Sequence, residues 1–257
     1  SCLPNTHYII MKTILISSLA LMLSANLWAQ DSPEKAKAQE EAPTVLEAET
    51  EIPFPVYIDL AEDERQHLVG TGVREKFWID VYGFGVYVDK SSAAPIMRAA
   101  FEKASAAEDD DAAIAIIDAA LLNNAFNKTM RWVMARDVEG EDIAEAFDDS
   151  LGPDINKLYA KDEKNLAISL KAMAQLRAWF EVTNLVEGDE LLFVWKGNKL
   201  NSIVNGKSLG VIENYGVCYA MFHLFLNEDD PVDDDAYEAT IAALKLMAYP
   251  ERAVKEE

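Results

Sequence analysis

The sequence predicts an α+β domain in which an antiparallel β-sheet packs against a layer of helices. Three observations carry that expectation. Strand-like runs rich in Val, Tyr, Phe and Trp gather in an early cluster, 54–88, and a late one, 190–212. In the late cluster, Gly197-Asn198 and Asn205-Gly206 join neighbouring runs closely enough for two hairpins, Asn-Gly being the strongest short hairpin signal. Apolar helical stretches lie between and after the clusters. The order strand, strand, helices, strand, helices, hairpins, helices is that of segregated layers.

Taken in order, Phe54–Leu60 alternates enough to be a strand. Runs at 68–74 and 77–88 read as two more, with Gly83 and Gly85 marking a bulge or the close approach of another backbone. Ser91 is expected to cap a helix over 94–104, with Pro95 in its first turn. The acidic run 108–111 breaks the chain before an apolar helix at 114–122. Residues 127–138 look like a central strand, and 141–151 and 163–182 like helices. The second of these carries Leu166, Leu170, Met173, Leu176 and Phe180 on one face. After the hairpins, 214–226 is an apolar helix. A final helix, 233–248, opens on three aspartates, placed at the positive end of its dipole.

The chain of 257 residues carries 45 acidic against 23 basic side chains, a formal charge of −22. So negative a surface repels phosphate backbones, which excludes nucleic acid as a partner, and it repels anionic membranes too. Met11-Lys12-Thr13 is a short basic region followed by an apolar run, Ile14–Ala25, which is shorter than the about 20 residues that a bilayer span needs. Leu27-Trp28-Ala29 offers a processing site, so 1–29 reads as upstream residues and a signal peptide, with Gln30 opening the mature chain. No stable membrane span is expected after its removal, and the expected location is periplasmic or secreted. Processing removes one lysine and no acid, taking the charge from −22 to −23. Residues 30–52 are charged and Ala-rich and read as a disordered leader, and 53–257 as the folded domain. Loss of Cys2 leaves Cys218 alone in an apolar helix, where it is expected to be a small buried residue.

Familiar cofactor signatures fail. Gly70-Thr71-Gly72 lacks the third glycine of a dinucleotide fingerprint, since position 75 is Glu75, and no helix follows directly. The aspartate runs at 109–111 and 233–235 lack the glycine and late glutamate of a calcium loop. His67 and His223 are the only mature histidines, too few for a usual transition-metal site. No cofactor and no metal are expected.

What remains is Gly70-Thr71-Gly72-Val73-Arg74, followed by Val81-Tyr82-Gly83-Phe84-Gly85-Val86-Tyr87. Arg74 could project into a cavity and hold a carboxylate in bidentate fashion. On physics alone, such an arginine is more often a surface residue or structural ion pair. Tyr82 and Tyr87 are by default core aromatics.

These blocks, together with Gly188-Asp189 and the later Gly210-Val211-Ile212-Glu213-Asn214 helix start, resemble the chalcone isomerase superfamily. That superfamily includes flavonoid isomerases, fatty-acid-binding relatives, non-catalytic isomerase-like proteins and exported bacterial members. The resemblance implies an open-faced β-sandwich, with a ligand cleft between sheet and helices. It matches Arg74 to the arginine that activates the chalcone in true isomerases. Tyr82 stands where they have a catalytic threonine, Ile143 and Ser150 where they have a tyrosine and an asparagine, and Lys207 or Ser208 near a substrate-contacting hydroxyl. An arginine with a tyrosine beside an apolar cleft is similar to the fatty-acid-binding branch. The resemblance therefore implies a binding protein for a small amphipathic anion such as a fatty acid, with Arg74, Tyr82 and Tyr87 as ligand-binding residues. Its rivals are an intramolecular lyase using Arg74 as electrophile, and an accessory protein without turnover. Export is checked by intact mass: the mature protein should begin at or close to Gln30. Recovery of the uncleaved apolar segment in soluble cytoplasmic protein would contradict it.

Overall fold

The computed structural model describes residues 42–253, the side chains of 252 and 253 excepted. The expected signal segment and leader residues 30–41 lie outside the described residues. Thr44–Leu46 (β1) and Pro53–Pro55 (β2) form a small antiparallel ladder. Seven further strands form one curled sheet in sequence order: Tyr57–Ala61 (β3), Glu64–Lys76 (β4), Ile79–Val88 (β5), Lys128–Met134 (β6), Glu190–Lys196 (β7), Lys199–Val204 (β8) and Lys207–Glu213 (β9). Every neighbouring pair is antiparallel. Lys90–Ala104 (α1) and Asp110–Leu121 (α2) connect β5 to β6, and Gly140–Leu158 (α3) and Glu163–Glu181 (α4) connect β6 to β7. Tyr215–His223 (α5), Asp234–Ala248 (α6) and the short Pro250–Ala253 (α7) follow β9. This is the α+β arrangement that the order of sequence signals predicts.

Strand alternation divides the sheet into two faces. Phe84, Val86 and Val88 of β5, Met130, Trp132 and Met134 of β6, and Leu191, Phe193 and Trp195 of β7 all join one buried cluster. Met97, Leu151, Leu176, Phe180, Phe222 and Leu244 of the helices complete it. Burying each large side chain of this kind stabilises the fold by about 1.5–3 kcal/mol. The intervening residues of β5 serve the other face. A Cβ at Gly85 would lie 2.7 Å from the ring of Phe54, and one at Gly83 would lie 3.2 Å from Ile52. The two glycines therefore mark the close approach of the β2 segment. Arg131 reinforces it, bonding Glu190 at 2.6 Å and lying over the Phe54 ring at 5.0 Å.

Packing against that face also orders part of the expected leader. Residues 42–52 are not a disordered tail: they contain β1 and a turn organised by Glu47, which is 4% exposed. Its carboxylate accepts hydrogen bonds from the Thr50 amide at 2.7 Å and the Thr50 hydroxyl at 2.6 Å. Composition reports the average polarity of a segment, whereas one satisfied carboxylate can hold a turn. Helix starts differ from expectation for a related reason. Asp89, not Ser91, caps α1 by accepting from the Ser91 amide at 2.9 Å, so Pro95 falls within the helix rather than in its first turn. Asp109 caps α2 in the same way. A carboxylate is favoured over a hydroxyl there because it also meets the positive end of the helix dipole. Helix α3 continues past Pro153, with Ile155 fully buried two residues further on.

Gly70 and Gly72 have a structural task. A Cβ at Gly70 would lie 2.1 Å from the Thr240 hydroxyl oxygen, and one at Gly72 would lie 2.4 Å from the Asp233 carboxylate, so α6 crosses β4 through the gap they leave. Asp233 bonds the Val73 amide and caps α6 through the Ala236 amide, both at 2.9 Å. Helix and strand are thus pinned one residue before Arg74.

Lys128 is the unexpected member of the core. Fully buried on β6, its ammonium donates to the Asn123 carbonyl at 2.6 Å and lies over the rings of Trp195 at 3.9 Å and Phe126 at 4.2 Å. Burial without a carboxylate partner pushes its pKa down to about 7. The unfolded lysine, at about 10.4, binds more protons between these two values, so this group makes stability rise as pH climbs from about 7 to about 10.4. Lys128→Met should therefore stabilise the protein most below pH 7 and progressively less above it. Chemical denaturation of both proteins across that range checks this; a constant difference would contradict it.

Candidate functional site

A cavity of about 460 Å³ lies where the end of β4, the start of β5 and the end of β6 meet α3. Its size is within the about 300–1,000 Å³ of small-molecule sites. The sheet side is built by register. Arg74 pairs with Tyr82 across β4 and β5, Tyr82 pairs with Met134, and Trp132 follows on the same face of β6. Between the Arg74–Tyr82 and Glu75–Asp80 pairs the register slips, leaving Val81 as an extra residue. On β5 this bulge brings Ile79 to the cavity face and turns Asp80 away, in step with Lys76 and Glu75, which alternate regularly on β4. Glu75 and Asp80 meet Glu49 on that other side, where the three carboxylates lie within 4.8 Å of one another.

The floor is aromatic. Tyr82 stacks on Trp132 with centroids 4.2 Å apart and planes 10° from parallel, and Trp132 meets Phe193 edge-on at 4.7 Å. Ile143, Phe147 and Ser150 of α3 form the opposite wall, with Leu185, Leu224 and Val232 completing it. The Trp132 indole N–H is buried with no hydrogen-bond partner among the described residues. Burial pushes the Tyr82 phenol well above its ordinary pKa, against the lowering effect of the Arg74 charge. Tyr82 is therefore a neutral O–H donor at physiological pH.

The cations at the mouth are distinctive. Among the described side chains, Arg65, Arg98, Arg131 and Arg177 are all in ion pairs. Arg74 and Arg136 form none, although acids outnumber bases about two to one in the chain, and both line the cavity. Two guanidinium groups and a neutral phenol beside an aromatic floor present donors to one end of a ligand and apolar surface to the rest, with Asp137, Asp142 and Asp149 also on the lining. That arrangement suits an amphipathic anion.

The residues singled out from the sequence separate here. Arg74 and Tyr82 come together, and Ile143 and Ser150 join them. Tyr87 does not: five residues from Tyr82, it points to the other face, fully buried beside Leu68 and Thr129, its hydroxyl without a partner. Lys207 and Ser208 lie outside the cavity on β9, where the Ser208 hydroxyl donates to Asn201 at 2.7 Å. Cys218 is buried, and its thiol is pushed up to about 12 by that burial. Lys76, Trp132 and Arg136 are cavity residues that sequence reasoning passed over. Alternation along 132, 134 and 136 is the signal that could have found two of them.

A curled antiparallel sheet with a helical layer and a cavity between the strand ends and α3 defines the molecule as an α+β protein with a small-molecule-sized cavity. The family described as chalcone isomerase-like matches residues 50–237, and the chain belongs to it. Fatty-acid-binding protein 1 of Arabidopsis thaliana is 23% identical over 214 residues, spanning 80% of this chain and 72% of that protein. The crystal structure of a fatty-acid-binding protein from the same plant has a TM-score of 0.66 at 19% identity, covering 80% of this chain and 100% of that one. Likeness at that identity establishes the shared fold. Among the described residues, no helix is long and apolar enough to cross a membrane.

Proposed function

We propose that this protein is an exported binding protein for a small amphipathic anion, in the first instance a long-chain fatty acid. Arg74 holds the carboxylate, Tyr82 donates to it, and the chain lies along Trp132 and Phe147. One observation carries the reading: the two described arginines without an ion pair both line the same cavity, beside its aromatic floor. The fatty-acid-binding relatives support it. Sequestering the tail favours association by about 0.8 kcal/mol per buried methylene. The arginine contributes orientation more reliably than net affinity.

The cavity is poorly furnished for flavonoid ring closure. Where the resemblance matches a tyrosine there is Ile143, and where it matches a threonine the bulky Tyr82 fills the space against Trp132. Incubation with a hydroxylated chalcone, followed by absorbance, should show no acceleration over the spontaneous rate. An acceleration abolished by Arg74→Ala would favour the lyase.

Arg74→Ala should weaken binding of a long-chain fatty acid far more than binding of the matching alcohol. Loss of a charge-assisted hydrogen bond typically costs about 1.5–3 kcal/mol, or roughly tenfold to a hundredfold in affinity. Arg74→Lys should restore only part, because an ammonium lacks the planar fork. Titration calorimetry with both ligands, beside thermal melts of the ligand-free proteins, is the check. Equal loss for acid and alcohol would return Arg74 to a structural role.

A further inference from the structure

We propose that the β4–β5 turn is a docking tip that sets the cavity mouth against the surface of a lipid bilayer. The turn is Phe77-Trp78, whose side chains are 78% and 89% exposed, followed by Ile79 at 53%. Both turn residues are left-handed, with φ of +54° and +63°. The β8–β9 hairpin makes a turn of the same hand with Asn205 and Gly206, at +49° and +76°. Those are the residue types that such a turn favours. Folding alone would thus be served better by Asn-Gly at 77–78 as well. Two large aromatics held in a disfavoured backbone region, with their rings in water, point to a task outside the fold.

The location of the tip says which task. Phe77 and Ile79 also line the cavity, so tip and mouth form one surface. Trp is the side chain that settles at a membrane interface, its apolar body among acyl chains and its N–H near the headgroups. Arg74, Lys76 and Arg136 line the same cavity, beside Asp137, Asp142 and Asp149, and offer cations to lipid phosphates. Glu75, Asp80 and Glu49 lie on the other side of the hairpin and limit entry to the turn itself. A stable protein interface buries about 800 Å² on each partner, far more than three side chains at a hairpin tip can offer. The net charge of −22 selects a bilayer of neutral overall charge.

This inference rests on the proposed ligand only for its purpose, since a fatty acid dissolves in the membrane from which the mouth would collect it. The test uses purified wild-type protein and variants in the same processed form. Phe77→Asn combined with Trp78→Gly rebuilds the turn with its favoured residues and should keep or raise the melting temperature. Its partition onto phosphatidylcholine vesicles, read by flotation, should fall at least tenfold. Vesicles of brominated phosphatidylcholine should quench part of the wild-type tryptophan emission, and Trp78→Phe should abolish that part. Equal partition of wild type and the Asn-Gly variant, quenching unchanged by Trp78→Phe, or a tip that alters only self-association in sedimentation would each overturn the proposal. Fatty-acid affinity measured without vesicles should be the same in wild type and in Trp78→Phe, since Phe77 but not Trp78 lines the cavity. Its absence in both, with vesicle partition intact, would remove the ligand and leave the docking.

Discussion

Where α6 crosses β4, Gly70 and Gly72 leave no room for a Cβ, and Asp233 ties the end of the strand to the start of the helix. That crossing fixes the sheet against its helical layer just before β4 runs on into the cavity. Beyond it, the helices cover the sheet less completely, and the strand ends that carry Arg74, Tyr82 and Trp132 face open space beside α3. The G-x-G that suggests a phosphate-binding turn in sequence is here a packing device. It holds in place the strand from which Arg74 projects.

Charge is sorted on the same scaffold. The chain is strongly acidic, yet alternation along β4 gives Arg74 and Lys76 to the cavity side and Glu75 to the other, and the bulge at Val81 turns Asp80 away with Glu75. An arginine in such a protein finds a carboxylate easily, as Arg65 and Arg177 do. Among the described residues Arg74 and Arg136 form no ion pair, which leaves their donors available to a ligand. Lys128 shows the contrasting case. Enclosed by Trp195 and Phe126, and bonded among the described residues to a carbonyl, it is an amine that the fold tolerates rather than uses.

Much of this was legible in the sequence, and the omissions have physical reasons. Turn chemistry placed the late hairpins because Gly197, Asn205 and Gly206 do adopt positive φ. Phe77-Trp78 was legible only as strand, because nothing in their side chains announces a left-handed turn. Strand alternation alone separates Tyr82 from Tyr87, yet reading the two within one motif obscures which face each serves. Arg136 lies past the end of β6, where alternation from Trp132 still holds but strand propensity has faded. The unpaired state of Arg74 and Arg136 was invisible, since ion pairs such as Arg131–Glu190 join residues distant in sequence.

The central claim is that one cavity receives the anionic end of an amphiphile at Arg74 and its tail on the Tyr82–Trp132 floor. A crystal structure of the protein with a long-chain fatty acid tests this most directly. The carboxylate should lie within hydrogen-bonding distance of the Arg74 guanidinium and the Tyr82 hydroxyl, with the acyl chain running along Trp132 and Phe147. A fatty acid bound with its carboxylate away from Arg74, or on the Tyr87 face of the sheet, would contradict the account.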